Sequence, residues 1–124
     1  MTQTVMVVED ERLVRTLAAR ILRDAGLEVV EAPDGREAWR QLQSLAPTIH
    51  LLLSDVVMPH MNGIELAGRV SQAWPNLPVL LMTAFTPTQL VDHGLNEGHL
   101  ATLTKPFDAD ALLEQVRACI RPPA

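Results

Sequence analysis

A single cysteine, Cys119, is all the chain carries, so no disulfide can form within it. It falls on the apolar spacing Leu112, Val116, Cys119, Ile120 and is expected as a buried structural thiol, with no histidine nearby in sequence to make it a nucleophile. Basic residues are in deficit. Ten Lys plus Arg stand against 15 Asp plus Glu, a net charge of −5, and no basic stripe exists to displace counterions from phosphates. Direct binding to nucleic acid is therefore not expected. No apolar stretch approaches the ~20 residues of a membrane span, and the polar start Met1-Thr2-Gln3-Thr4 lacks the basic-then-apolar order of a signal peptide. A soluble, cytoplasmic protein with no membrane partner is expected. His50, His60, His93 and His99 lack paired ligand spacing, which argues against a zinc site. Repeats, linkers and low-complexity tracts are missing too, and 124 residues suffice for one domain with a real core but not for two. A single domain over residues 1–124 follows.

What is present is an alternation of short apolar runs with helix-period segments, five times over, which reads as α/β: a parallel sheet covered by helices on both faces. The first run is Val5 to Val8, followed by Leu13, Leu17, Ile21 and Leu22 at helical spacing up to Gly26. The second run, Leu27 to Val30, leads to a helix opened by Asp34 with Glu37 three residues on, as in a capping box, and closed at Pro47. The third run is Ile49 to Leu53. Asn62 and Glu65 repeat the cap pattern before Leu66, Val70 and Trp74, and Val79 to Met82 form the fourth run. Thr86-Pro87-Thr88-Gln89 is a strong helix start, but Gly94 and Gly98 each cost about 1 kcal/mol there, so that helix is expected to be short and prone to fraying. A brief fifth run, Ala101 to Thr104, precedes a last helix capped by Asp108 and running up to Pro122. Trp39 and Trp74 sit in helices as core or rim packing.

Charges stand at the carboxyl ends of these runs: Glu9, Asp10 and Glu11 after the first, Asp55 after the third, Lys105 after the fifth. Ligands in open α/β sheets bind at that edge. With strand order 2-1-3-4-5, Asp10 and Asp55 come side by side at the point where the order reverses, and both can ligate Mg²⁺. Thr83, closing the fourth run, projects a hydroxyl from the same edge, and Lys105 adds a point charge for Asp55 or for a phosphoryl oxygen. Glu11 reads more simply as a charge at the amino end of the first helix, favoured by the helix dipole.

From Val5 to Ile120 the chain resembles a response-regulator receiver domain of two-component signalling, of the chemotaxis-regulator kind. The resemblance rests on Val7-Val8-Glu9-Asp10-Glu11, on Asp55 through Val56, Val57, Met58 and Pro59 to Asn62-Gly63, on Thr83-Ala84, and on Lys105-Pro106-Phe107. It implies a flavodoxin-like five-stranded fold in which Asp55 accepts a phosphoryl group from a phosphohistidine of a sensor histidine kinase or histidine phosphotransfer protein. It further implies Mg²⁺ bound by Asp10, Asp55 and the main-chain carbonyl of Val57, with Glu9 acting through water. Thr83 and Lys105 would contact the phosphoryl oxygens, and the Lys105-Pro106 bond would be cis. No enzyme activity is implied beyond self-catalysed phosphorylation and dephosphorylation of Asp55, and a monomer or weak dimer is expected.

The departures from the family pattern are specific. Thr102 stands three residues before Lys105, where many members carry an aromatic side chain, and the chain has no tyrosine, so the usual aromatic switch is missing. Val57 and Phe85 are apolar where polar residues are frequent, and both flank the path of a hydrolytic water. Three alternatives remain: the receiver part of a hybrid histidine kinase, a metal-dependent aspartyl-phosphate hydrolase, and a phosphorylation-independent interaction module with a vestigial site, against which the intact Asp10, Asp55, Thr83 and Lys105 set argues. The hydrolases place a second aspartate two residues after the nucleophile, where this chain has Val57.

Overall fold

The structure, a computed structural model, describes residues 2–84, 89 and 101–120. Five strands, β1 (Thr4–Val8), β2 (Glu28–Ala32), β3 (Leu51–Asp55), β4 (Val79–Thr83) and β5 (Ala101–Thr104), form one parallel sheet in the order β2-β1-β3-β4-β5. Four helices are described: α1 (Arg12–Asp24), α2 (Gly35–Leu45), α3 (Gly63–Ala73) and α4 (Ala109–Cys119). This is the flavodoxin-like arrangement, with the strand order reversing between β1 and β3. The helix expected after Thr86, with Phe85, His93, Gly94, Gly98 and His99, lies outside the described residues, as does Pro122.

Period-2 alternation along the strands splits the apolar side chains between two cores. Met6, Val8, Leu52 and Leu81 point toward α2 and α3, where they meet Ala38, Leu42, Leu66 and Val70. Val5, Val7, Leu51, Leu53, Leu80 and Met82 point the other way, against Ala18 and Leu22 of α1 and Leu112 and Val116 of α4. β1, β3 and β4 are buried at every position, so nearly unbroken apolar runs are what both faces demand. Among the described residues no helix is long and apolar enough to cross a membrane.

The caps form as half-boxes. Asp34, Asn62 and Asp108 each accept the main-chain N–H three residues on, at 2.8 Å. The reciprocal half of the expected boxes is replaced: Glu37 pairs with Arg40 and Gln41, and Glu65 with Arg69, because cations one turn along attract the carboxylates away from the cap. α1 departs further from expectation. Leu13 is 84% and Leu17 59% exposed, while the inward face is made by Ala18, Ala19 and Leu22. Small residues let that helix lie close on the sheet, and the longer leucines on the next stripe are left to solvent. Cys119 is half-buried against the α1/α4 core, and burial raises its thiol pKa. Trp39 and Trp74 lie at the rim of the other core with ring centroids 5.4 Å apart, and Arg69 sits 5.7 Å over Trp39.

Candidate functional site

Glu9 continues the ladder one residue beyond β1, donating its N–H to Ala32 O at 3.1 Å, and its side chain is fully buried. Val8 is in register with Ser54, so the next pair at this edge is Glu9 and Asp55. Asp55 is the last residue of β3 and is 7% exposed. Asp10 follows Glu9 and is open to solvent. Oxygens of Glu9, Asp10 and Asp55 all lie within 4.8 Å of one another. Glu11 is the N-cap of α1, makes no side-chain cap bond and is exposed, in keeping with a charge at the helix start.

Lys105 enters from the far side of the sheet. Its N–H donates to Thr83 O at 2.8 Å, anchoring the chain just beyond β5, and Pro106 follows through a cis bond. Its Nζ lies 3.0 Å from Glu9 Oε1 and 3.1 Å from Asp55 Oδ1. Asp55 Oδ1 also accepts the N–H of Val56 at 2.9 Å. Thr83 ends β4, between β3 and β5 in the sheet, with 2% of its surface exposed. Thus Glu9, Asp10, Asp55, Thr83 and Lys105 arrive at one edge from four strands.

Burial dominates the electrostatics of Glu9. Together with hydrogen bonding and negative charge from Asp55, it pushes the Glu9 carboxyl up to about 7, against the opposing pull of Lys105. For Lys105, burial favours the neutral amine but is outweighed by hydrogen bonding to Glu9 and the charge of Asp55, so its pKa rises. One ammonium facing three carboxylates leaves a negative excess in a partly buried place. An all-oxygen donor set of this charge fits a hard divalent cation such as Mg²⁺, and the unfavourable ionisation of Glu9 is what such a cation relieves.

The loop from Asp55 to α3 is fixed by close approach. Val56 N–H donates to Met82 O at 3.2 Å and Gly63 N–H to Val56 O at 2.8 Å. A Cβ at Gly63 would fall 2.1 Å from Asp55 O, so no other residue fits without moving the main chain behind Asp55. His60 takes φ +70° within a tight turn closed by Met61 N–H to Pro59 O at 2.8 Å. Val57 leaves this loop with a 62% exposed side chain.

Sequence reasoning missed two residues. Arg15 of α1 donates from Nη1 to the main-chain oxygen of Glu9 at 2.8 Å, and its Nε lies 3.5 Å from Glu31 Oε1 on β2. A signal did exist: α1 has no acid in its first turn but has Arg12 and Arg15 near its positive end, where the helix dipole disfavours cations unless they have another task.

Residues 5–117 match the response regulator receiver domain family. The chain belongs to that family. The response regulator protein FleR of Pseudomonas aeruginosa is 40% identical over 116 residues, covering 94% of this chain and 24% of FleR. The receiver domain of the hybrid histidine kinase CckA is 36% identical, with a TM-score of 0.80 and coverage of 95% of this chain and 99% of that one. The chemotaxis protein CheY4 of Vibrio cholerae is 31% identical, with a TM-score of 0.84 over 96% of this chain and 99% of that one. The chain spans 24% to 56% of the length of curated relatives such as NtrC and PdtaR. Receiver domains are phosphoacceptors of two-component signalling that bind Mg²⁺ in an acidic pocket and act with kinases and downstream targets.

Proposed function

We propose that this receiver takes a phosphoryl group onto Asp55 from a phosphohistidine of a sensor histidine kinase or histidine phosphotransfer protein, in the cytoplasm. The observation that carries the reading is Lys105 Nζ in contact with both Glu9 and Asp55, at 3.0 and 3.1 Å, inside a cluster of three carboxylates. In the transfer an Asp55 oxygen attacks phosphorus while the P–N bond to the imidazole breaks, its electron pair leaving with the ring. Phosphoryl transfer needs positioning and charge neutralisation more than proton transfer, so a site without a general base suffices. Asp55 is held for in-line attack by its place at the end of a buried strand and by the Val56 N–H on Oδ1. Lys105 exchanges its Asp55 contact for a phosphoryl oxygen while keeping Glu9, and the Thr83 hydroxyl donates to another phosphoryl oxygen. Asp10, Asp55 and the Val57 carbonyl would hold Mg²⁺, with Glu9 acting through water, and the ion would supply the remaining neutralisation of charge.

The kinase-side partner covers the outer stripe of α1, where Leu13 and Leu17 are exposed beside Arg12 and Arg20. Likeness to the CckA receiver supports a second reading, the receiver part of a hybrid histidine kinase with an intramolecular donor. A hydrolase is disfavoured, because Val57 offers no acid two residues after Asp55. Incubation with acetyl phosphate and Mg²⁺ should add the mass of one phosphoryl group to the native protein and none to Asp55→Asn. A gain retained by Asp55→Asn, or missing from the native protein, overturns the assignment.

A further inference from the structure

Glu9 is gripped on every side. Its N–H is held by Ala32 O at 3.1 Å, its Oε1 by Lys105 at 3.0 Å and its carbonyl by Arg15 Nη1 at 2.8 Å. The first two contacts come from the sheet and from the residue that ends it. The third comes from a helix and needs an explanation of its own. Glu9 O lies before the N-cap Glu11, so no α1 main-chain donor is due to it. Arg15 is itself held in place: its side chain is only 17% exposed and its Nε lies 3.5 Å from Glu31 Oε1, at the end of β2.

We propose that Arg15, oriented by Glu31, is a positioning residue for the metal-binding loop. By fixing the carbonyl of Glu9 it fixes the peptide plane between Glu9 and Asp10, and hence the direction in which both carboxylates leave the chain. The inference rests on the Mg²⁺ reading above and adds a pair of residues from outside the carboxylate cluster. Outer-sphere groups that orient ligands commonly contribute about 10–100-fold in metal affinity.

Two effects of Arg15 have opposite signs, which makes the proposal testable. As a cation near three acids, Arg15 repels Mg²⁺, so deleting its charge alone tightens binding. As a clamp, it pre-arranges the ligands, so deleting it loosens binding. We expect Arg15→Met, which keeps the stem and loses the donors, to weaken Mg²⁺ binding about tenfold in calorimetric titration. Arg15→Lys, with the charge and one donor retained, should recover part of that loss. Glu31→Gln should weaken binding about threefold, and the double variant Arg15→Met/Glu31→Gln should be no weaker than Arg15→Met, as for two residues acting through one contact. Unchanged or tighter Mg²⁺ binding by Arg15→Met overturns the proposal, as does an additive double variant. If Arg15→Met fails to fold, native affinity in Glu31→Gln overturns it. A native protein that binds no Mg²⁺ overturns the metal reading together with this one, whereas native binding with an indifferent Arg15 overturns this one alone.

Discussion

Glu9 and Glu37 are the same side chain in two settings, and the protein moves them in opposite directions. Glu9, at the carboxyl edge of the sheet, is pushed up from 4.5 to about 7, chiefly by burial. Glu37, in the first turn of α2, is pulled down from 4.5 to about 2 by hydrogen bonds from Arg40 and Gln41. Both glutamates have a cation within contact, Lys105 for one and Arg40 for the other. What separates them is water and a second carboxylate. At the sheet edge solvent is excluded and Asp55 adds a like charge, so the cation only partly compensates. On the outside of α2 the solvent already supports the charge, and the pairing is a surface matter worth little to the fold. Counting ion pairs would treat the two regions as equal; their chemistry differs because desolvation differs.

The largest blow to the buried side of this comparison should come from Gly63→Ala. Its Cβ would fall 2.1 Å from Asp55 O, and relieving that contact displaces the main chain behind Asp55. A loss of about 3 kcal/mol in urea unfolding is expected, with phosphorylation impaired. Native stability in this variant would show that the loop yields freely and that Asp55 is not held by it. Next in size, Asp10→Ala should weaken Mg²⁺ binding by at least about tenfold, since even outer-sphere supports cost that much. The metal-free protein should keep or gain stability, because one of three mutually repelling charges is gone. An unchanged Mg²⁺ titration would remove Asp10 from the ligand set.

A third test uses the opposite signs of the two glutamates. A carboxyl raised in the folded state contributes stability below its unfolded value of 4.5, and that contribution is lost as pH rises to about 7. Glu37, being lowered, contributes above 4.5, and its contribution is lost as pH falls toward about 2. In chelator, the native protein should therefore lose stability relative to Glu9→Gln as pH rises from 4.5 to about 7. Parallel pH profiles for the two proteins would mean that Glu9 is ionised in the folded state as readily as in the unfolded one. The smallest effect sharpens the contrast: Glu37→Gln should leave Mg²⁺ affinity unchanged and lower neutral-pH melting only slightly, because water supports that charge almost as well as Arg40 does. A clear loss of Mg²⁺ affinity there would tie the outer face of α2 to the site.

The five apolar runs, the three cap residues Asp34, Asn62 and Asp108, and the charges at the strand ends were all legible in the sequence, because each is a local pattern with a local cause. A strand buried on both faces must be apolar throughout, and a helix start must satisfy its own free N–H groups. Strand boundaries shifted by a residue or two, as with β2, read as Leu27 to Val30 and found at Glu28–Ala32. Which face of α1 turns inward was only half legible. Of Leu13, Leu17, Ile21 and Leu22, the last two meet the core, whereas Leu13 and Leu17 face solvent and the sheet selected Ala18 and Ala19, whose small volumes permit close approach. The sequence by itself determined that Glu9, Asp10, Asp55, Thr83 and Lys105 stand at strand ends. Only the tertiary structure decided that Glu9 is the fully buried member, that Lys105 bridges it to Asp55, and that Arg15, paired with Glu31, donates to its carbonyl. Burial and side-chain reach depend on neighbours 6 to 96 residues away along the chain, and only the fold decides which of them meet.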